Sequence, residues 1–174
     1  MDLRYPVGKY VKCESLTPAQ RAEVIAGIAA TPKSLRDAVA GLSQEQIDTP
    51  YRPGGWTVRQ VVHHLPDSHM NSYVRLKLAL TENGPTIKPY EEQLWAELAD
   101  SRDTPVEVSL TLLEALHQRW VILLRSMKAE DFSRTLRHPV LGPMPVDNLV
   151  NIYAWHGRHH VAHITALRER EGWK

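Results

Sequence analysis

The stretch YAWHGRHHVAHI, residues 153–164, places four of the nine histidines of the chain within twelve consecutive positions. Histidine is a weak helix former, yet the apolar residues around it recur with the spacing of an amphipathic helix. At about 100° per residue, two of the histidines fall on the same stripe as the apolar side chains. The stripe contains Leu149, Tyr153, His156, His160, Ile164 and Leu167. The segment therefore predicts a helix that buries His156 and His160 in a helical bundle.

The spacing of His156 and His160 favours a shared metal ion. Residues four apart are neighbours on a helix surface, so both imidazoles can reach one ion. A buried pair without an ion needs a separate hydrogen-bond partner for each ring, and two such core histidines are the alternative that the sequence leaves open. His159 lies near one edge of the same face and His163 flanks it, so the spacing gives neither of them a role.

A third ligand has to come from another helix. A catalytic zinc ion takes three protein ligands and keeps one position open, whereas a structural one takes four. The segment VVHHLPDSHMN, residues 61–71, offers His63, His64 and His69. Periodicity places His69 at the centre of the apolar stripe and the other two away from it. However, Pro66 removes a helix hydrogen bond and distorts the helix, so the residues alone leave the choice among the three histidines open.

Four long segments combine helix start signals with apolar periodicity. We predict helices from Thr17 to about Leu42, from Thr57 to about Leu80, from Thr104 to about Met127 and from about Asp147 to about Arg170. Pro32 is expected to kink the first helix. No alternating pattern supports a large sheet, although residues 137–146 fit a small hairpin around Gly142 and Pro143. The sequence thus predicts an all-α four-helix bundle with decorated loops, forming a single domain over residues 1–174.

The connection between the second and third helices, residues 81–103, is long for a bundle loop. It contains Tyr90, Glu91, Glu92 and Trp95 within KPYEEQLWAEL. We favour a short helix that packs on the bundle. In the alternative interpretation, the connection covers the metal and supplies a carboxylate base.

Composition excludes several classes of protein. A hydrophobic fraction of 43% and a charged fraction of 24% are ordinary for a soluble globular chain. The net charge of +1, without a run of Lys or Arg, argues against nucleic acid or a membrane surface as the main partner. Cys13 is the only cysteine, which excludes an intrachain disulfide and a thiolate metal cage. Residues 1–16 lack the apolar stretch of a signal peptide, so we expect a cytoplasmic protein.

Several blocks of the sequence together resemble a known family. The block GGWTVRQVVHHLPDSHMNSYVRLKLALTE, residues 54–82, combines with the histidine-rich segment and the closing LREREGW, residues 167–173. These blocks resemble the DinB/YfiT-like metal-dependent hydrolases, and most closely the YfiT branch, which includes bacillithiol transferase-like proteins. The resemblance implies a homodimeric four-helix bundle that holds one divalent metal, Zn²⁺ or Ni²⁺, on three histidines. In this sequence they correspond to His64, His156 and His160, and His64 is assigned by the resemblance alone.

The resemblance implies a metal-dependent hydrolase that acts on a small-molecule substrate. Three neutral imidazoles leave the full charge on the ion, so a metal-bound water would be the nucleophile. The same ligands would serve a thiol S-transferase that uses a low-molecular-weight thiol such as bacillithiol or mycothiol, held as the thiolate. A non-catalytic metal-binding bundle is the third interpretation. No further cofactor is expected, because the sequence has no Gly-rich phosphate loop.

Other polar residues could support the predicted ligands. Each ligand ring needs a hydrogen-bond partner for its second nitrogen. The candidates for this partner are Asp67, His69, His159 and His163. For each of them, the equal alternative is a polar position on the surface or in the bundle without such a role. His117 and Trp120 share one face of the third helix, where we favour core packing over a position that lines the cavity.

Overall fold

Four long helices carry the fold of the computed structural model, which describes residues 2–173. In chain order the elements are α1 Pro18–Val39, α2 Gln44–Ile47, α3 Val58–Thr81, α4 Glu92–Trp95, α5 Ala99–Asp103, α6 Val106–Ser126, a 3₁₀ turn Ala129–Ser133, β1 Thr135–His138, β2 Gly142–Pro145 and α7 Val146–Glu171. The predicted four-helix bundle is therefore confirmed. Over residues 2–173, no helix combines the length and the apolar character needed to cross a membrane.

The long helices form a ring in which α1 and α3 each pack against both α6 and α7. Contacts along the pairs give their directions. Arg21 near the start of α1 bonds to Asp147 at the start of α7, and Arg168 near the end of α7 donates to the carbonyl of Ala38 near the end of α1, so these two helices run parallel. His63 and His69 of α3 bond to Ser109 and His117 of α6, which makes this pair parallel too.

Two apolar clusters fill the interior of the bundle, one towards each end. On α3, Leu65 belongs to one cluster and Leu76 to the other, and the completely buried His69 lies between them. Two other helices show the same order of apolar, polar and apolar residues. Along α6, His117 lies between residues of the two clusters, and along α7 His156 does so. A polar layer thus crosses the middle of the bundle.

Local start signals position the helices well. Thr17 and Thr57 both form reciprocal capping boxes with a glutamine three residues on, and α1 and α3 begin at the next residue. The third long helix begins one residue later than predicted, with Pro105 rather than Thr104 at its N-cap. Helix α6 begins at Val106 without a side-chain cap, and the Thr104 carbonyl accepts hydrogen bonds from Arg59 and His63 of α3. Helix α1 ends at Val39 rather than near Leu42 and is continuous through Pro32.

The connections between the long helices have structure of their own. Helices α4 and α5 lie within residues 81–103, and the side chain of Gln60 donates to the carbonyl of Ala96, which ties this segment to α3. The expected short helix that packs on the bundle is therefore present. The predicted hairpin exists, but its strands span residues 135–138 and 142–145, so Gly142 and Pro143 start β2 rather than form the turn.

Candidate metal centre

Three imidazoles from two helices meet beside the polar layer. His64 comes from α3, and His156 and His160 come from successive turns of α7. The Nε2 atoms of His64 and His156 are 3.2 Å apart, and one ligand atom of each of the three residues lies within 4.8 Å of the others. Two nitrogens bound at about 2.0–2.1 Å to one tetrahedral ion are separated by about 3.3 Å. The donor set therefore fits a single metal ion.

The three rings are neutral at neutral pH. Burial, followed by the neighbouring imidazole of His159, lowers the pKa of His64 to about 4. Burial and the adjacent histidines hold the pKa of His156 and of His160 well below the usual value. A metal ligand must offer an unprotonated nitrogen. The buried Nδ1 of His160 has no hydrogen-bond partner within residues 2–173, so at least one nitrogen of this ring is not engaged by another group there.

Helix α3 is buried on more than one side where its histidines lie. Val61, Val62 and Leu65 are fully buried, and so are most residues around them. His64 turns towards α7, whereas His63 turns towards α6, where Ser109 Oγ lies 2.7 Å from its Nδ1 and the Thr104 carbonyl 3.0 Å from its Nε2. A single apolar stripe therefore could not identify the ligand.

A histidine supports one of the predicted ligands from behind. Nε2 of His69 lies 3.1 Å from Nδ1 of His156. Within residues 2–173, neither the Asp67 carboxylate nor His163 makes a hydrogen bond to the three rings. The pKa of Asp67 is raised to about 6 by burial and by Asp100. These two residues therefore do not take the supporting position that the sequence left open for them.

The two remaining histidines of the rich segment line the wall of a cavity. His163 stacks on Tyr51 with the ring centroids 4.0 Å apart and donates its Nε2 proton to the carbonyl of Arg4. His159 stacks on Trp155, with the centroids 4.4 Å apart. His163 therefore binds to the segment before α1 and to the turn before α3, whereas His159 packs against a neighbouring ring of α7.

A cavity of about 500 Å³ opens directly over the three imidazoles. Tyr5 and Trp155 form part of its wall, and Trp56 stands against the metal centre with its ring 4.7 Å from that of His64. Tyr90 and Glu92 of the long connection also line it. This connection therefore packs on the bundle, as favoured, and also lines the cavity, while a carboxylate base from it stays a prediction.

Three arginines that the sequence did not single out also line the cavity: Arg4, which pairs with Asp2, and two that have no carboxylate partner within residues 2–173, Arg52 and Arg75. Arg52 donates to the Tyr51 hydroxyl and the Pro53 carbonyl, and Arg75 donates to the Lys88 carbonyl. The ion pairs within residues 2–173 include neither of them. Isolated arginines on loops and long helices carry no periodic signal, so only the fold shows that they share a cavity.

Residues 28–164 match the model of the DinB superfamily. The chain belongs to the DinB superfamily. A Bacillus cereus protein named "Putative metal-dependent hydrolase" is 55% identical to it over 172 residues, which cover 99% of both chains. A Bacillus thuringiensis protein with the same description shows the same identity and coverage.

Solved structures give the same relationship. YfiT from Bacillus subtilis, described as a probable metal-dependent hydrolase with an unusual four-helix bundle topology, is 47% identical and superposes over the whole of both chains with a TM-score of 0.97. The four-helix bundle protein TT2238 shares the fold with a TM-score of 0.57 at 18% identity, over 84% of this chain and 98% of that one.

Two aromatic residues of α6 in this DinB-superfamily chain lie in the interior of the bundle. Trp120 is completely buried in the core and His117 is 2% exposed, so neither lines the cavity over the three imidazoles. The preference for core packing is confirmed for Trp120. His117 instead lies within 2.8 Å of His69 and joins the polar layer.

Proposed function

We propose that this protein is a metal-dependent hydrolase in which His64, His156 and His160 hold one divalent ion, Zn²⁺ or Ni²⁺. The observation that carries the proposal is the convergence of three neutral imidazoles, with two Nε2 atoms 3.2 Å apart, at the floor of a cavity. Such an ion supplies Lewis acidity towards a carbonyl or phosphoryl oxygen and lowers the pKa of bound water to about 7. The names of the Bacillus relatives support the same assignment.

The surrounding residues prepare the centre for a small molecule. Trp56 lies against His64 and His160, with ring centroids 4.7 and 6.2 Å away, and limits the approach of water from that side. The aromatic walls leave a volume of about 500 Å³, which suits a compact organic substrate. The protein chain thus binds and orients the substrate beside the ligand nitrogens.

The charge of the cavity favours an anionic substrate. Arg52 and Arg75 face it without a carboxylate partner, and Glu92 is the one acidic side chain among its lining residues in the described chain. Guanidinium groups bind carboxylates and phosphates through paired hydrogen bonds. The substrate of the proposed hydrolase therefore carries a carboxylate or phosphate group beside the bond that is cleaved.

Metal content tests the ligand set directly. Elemental analysis of the purified protein should give one divalent ion per chain, and His64→Ala and His160→Ala should each lose most of it. His63→Gln is the matched control, because His63 is a buried neighbour on the same helix that bonds to Ser109 instead. Stoichiometric metal in both alanine variants would show that the ligands are wrong.

Activity separates hydrolysis from thiol transfer. The metal-loaded protein is incubated with anionic esters, amides and phosphoesters, with and without an added low-molecular-weight thiol. Hydrolysis should proceed without the thiol. Product that forms only when the thiol is present would overturn the hydrolase proposal in favour of an S-transferase, and a metal-loaded protein without turnover would favour a non-catalytic metal-binding bundle.

The proposal includes a single domain over residues 1–174, a homodimer and a cytoplasmic location. The family resemblance supports the single domain and the homodimer, and a chain with one cysteine fits a reducing cytoplasm. Sedimentation velocity of the metal-loaded protein measures the oligomeric state, and a monomer at micromolar concentration would contradict the dimer.

A further inference from the structure

Three imidazoles form a hydrogen-bonded row that starts at the proposed ligand His156 and leads away from the proposed metal centre. The Nδ1 atom of His156 lies 3.1 Å from Nε2 of His69, and Nδ1 of His69 lies 2.8 Å from Nε2 of His117. The row ends where Nδ1 of His117 lies 2.7 Å from the carbonyl oxygen of Ile28. Each of the four long helices contributes one member, so the row crosses the whole bundle.

The rings are arranged for hydrogen bonds in their planes. The centroids of His69 and His117 are 4.9 Å apart with only 19° between the ring planes, although the bonded nitrogens are 2.8 Å apart. These values describe two rings that lie end to end and nearly coplanar. The centroids of His69 and His156 are 5.2 Å apart with 45° between the ring planes, and their facing nitrogens are 3.1 Å apart. An N–H in the plane of one ring therefore points at the lone pair of the next.

The carbonyl at the end of the row sets the direction of all three bonds. A carbonyl oxygen only accepts, so Nδ1 of His117 carries a proton. The neutral ring then accepts at Nε2, which requires a proton on Nδ1 of His69. In the same way, His69 accepts at Nε2, and Nδ1 of His156 donates to it. The remaining nitrogen of His156, Nε2, is left with its lone pair, and this is the atom 3.2 Å from Nε2 of His64.

The opposite direction is costly in this environment. It would need a doubly protonated His117, since this ring would donate to Ile28 and to His69 at once. His117 is 2% exposed and His69 is fully buried, and burial lowers the pKa of His117 to about 4. No carboxylate of residues 2–173 hydrogen-bonds to the row to stabilise such a cation. Reversal would also place a proton on Nε2 of His156 and block it as a ligand.

We infer that His117 and His69 are positioning residues: the hydrogen bond to the Ile28 carbonyl fixes the tautomer of His117 and, through His69, that of His156. This relay holds His156 as the Nδ1–H tautomer with its Nε2 lone pair directed at the metal. The metal part of this inference rests on the proposed function, whereas the tautomers do not. Many metal-bound histidines are oriented by a carboxylate. A row of neutral imidazoles orients the ligand without adding negative charge, so the ion would keep its full charge for the substrate.

Nitrogen NMR of the metal-free protein tests the tautomers. In protein labelled with ¹⁵N-histidine, long-range ¹H–¹⁵N correlations at pH 7 distinguish protonated from bare ring nitrogens. We expect Nδ1–H and bare Nε2 in His69, His117 and His156. An Nε2–H tautomer or an imidazolium at any of the three would overturn the inference. This readout needs neither bound metal nor turnover, so it stands apart from a failure of the proposed function.

Variants of His117 test the effect on the metal. His117→Phe removes both hydrogen bonds, whereas His117→Gln offers an amide donor and an amide acceptor in their place. Competition of Zn²⁺ against a chromophoric chelator should show affinity roughly 10–100-fold weaker in the Phe variant, a loss typical for ligand-supporting partners. The Gln variant should recover most of it.

His63→Phe is the matched control, because it removes a buried imidazole of α3 outside the row. Its Zn²⁺ affinity should stay within a few-fold of wild type. Equal losses in His63→Phe and His117→Phe would indicate a general packing effect and overturn the relay. If His117→Phe does not fold, the tautomers of the wild-type protein decide the question alone.

Discussion

Arg52 and Arg75 are the residues with the most direct consequence for substrate choice. Each has guanidinium donors left over after its bonds to loop carbonyls or to a tyrosine hydroxyl. A hydrogen bond to a charged group contributes about 1.5–3 kcal/mol. Arg75→Gln should therefore raise KM for an anionic substrate by about 10-fold or more and change kcat much less, because it removes binding made equally in the ground and transition states.

Steady-state kinetics with a substrate found in the activity panel, and with its uncharged analogue, measures this effect. The KM of the uncharged analogue should hardly change. Arg102→Gln is the control, since Arg102 is exposed, pairs with Glu97 and lies outside the cavity lining. A larger KM for both substrates alike would mean that Arg75 shapes the cavity rather than binding an anion.

At the residue scale, the proposed ligands and the histidines behind them differ in how far the sequence could predict them. His156 and His160 share an apolar stripe, so local periodicity was enough to bring them to one face. His69 lies at the centre of the apolar stripe of α3, as periodicity predicts, and is 0% exposed, whereas His64 needed the fold, because α3 is covered on several sides and this ring is buried, at 7% exposure, although it lies away from the stripe. The partner of His117 is the carbonyl of Ile28, which Pro32 leaves without a helix donor, but the sequence does not show which side chain reaches it.

At the scale of elements, the close contact of α1 with α7 controls the spacing of the centre. Gly157 lies between His156 and His160, and a Cβ added there would come within 2.5 Å of Oγ1 of Thr31. That hydroxyl is itself bonded to the Gly27 carbonyl and cannot easily move. Gly157→Ala should therefore separate the helices, cost about 1–3 kcal/mol of unfolding free energy and weaken Zn²⁺ binding.

Gly27→Ala supplies the matched comparison on the same interface. Its new Cβ would meet atoms of Arg158 and Ala154 at 3.6 and 3.7 Å, which is ordinary contact. Since alanine favours a helix over glycine by about 1 kcal/mol, this variant should be neutral or stabilised. Urea unfolding and Zn²⁺ titration of both variants measure the difference. Similar behaviour of the two would contradict the role given to the contact at Gly157.

The elements themselves were predictable where their signals are local. The capping boxes at Thr17 and Thr57 act within four residues, so these helix starts agree with the structure. The start of α6 was predicted one residue early: Pro105 takes the N-cap position expected for Thr104, whose carbonyl accepts hydrogen bonds from His63 and Arg59 of α3. Signals that depend on a distant partner cannot be found in a window of neighbouring residues.

At the scale of the whole molecule, the polar layer places many imidazoles in the interior of a small bundle. All nine histidines have a lowered pKa, and burial is the leading cause for each of them. Such a layer replaces apolar packing at the level where the two clusters would otherwise meet. Imidazoles thus occupy interior positions that apolar side chains would otherwise fill. The stability of the fold therefore depends on these rings staying neutral.

The stability of the metal-free protein should consequently fall on mild acidification. Because the folded pKa values lie below the unfolded value of about 6.5, the unfolded chain binds more protons between these limits. The stabilisation is complete above pH 6.5 and is lost as the pH falls towards 4. Each extra proton contributes about 1.4 kcal/mol per pH unit. Asp67, with its pKa raised to about 6, opposes this trend by a single proton.

Urea unfolding of the metal-free protein from pH 7.5 to pH 4.5 measures this dependence. Several histidines titrate together, so the unfolding free energy should drop by more than about 1.4 kcal/mol per pH unit near pH 5.5. Zn²⁺ should raise it at pH 7, since a ligand that binds only the folded state stabilises it by mass action. His64→Ala should lose that Zn²⁺-dependent increment. A flat profile between pH 7 and pH 5 would mean that the buried rings can be protonated in the folded protein at little cost in free energy. The neutral donor set on which the proposed metal centre depends would then be wrong.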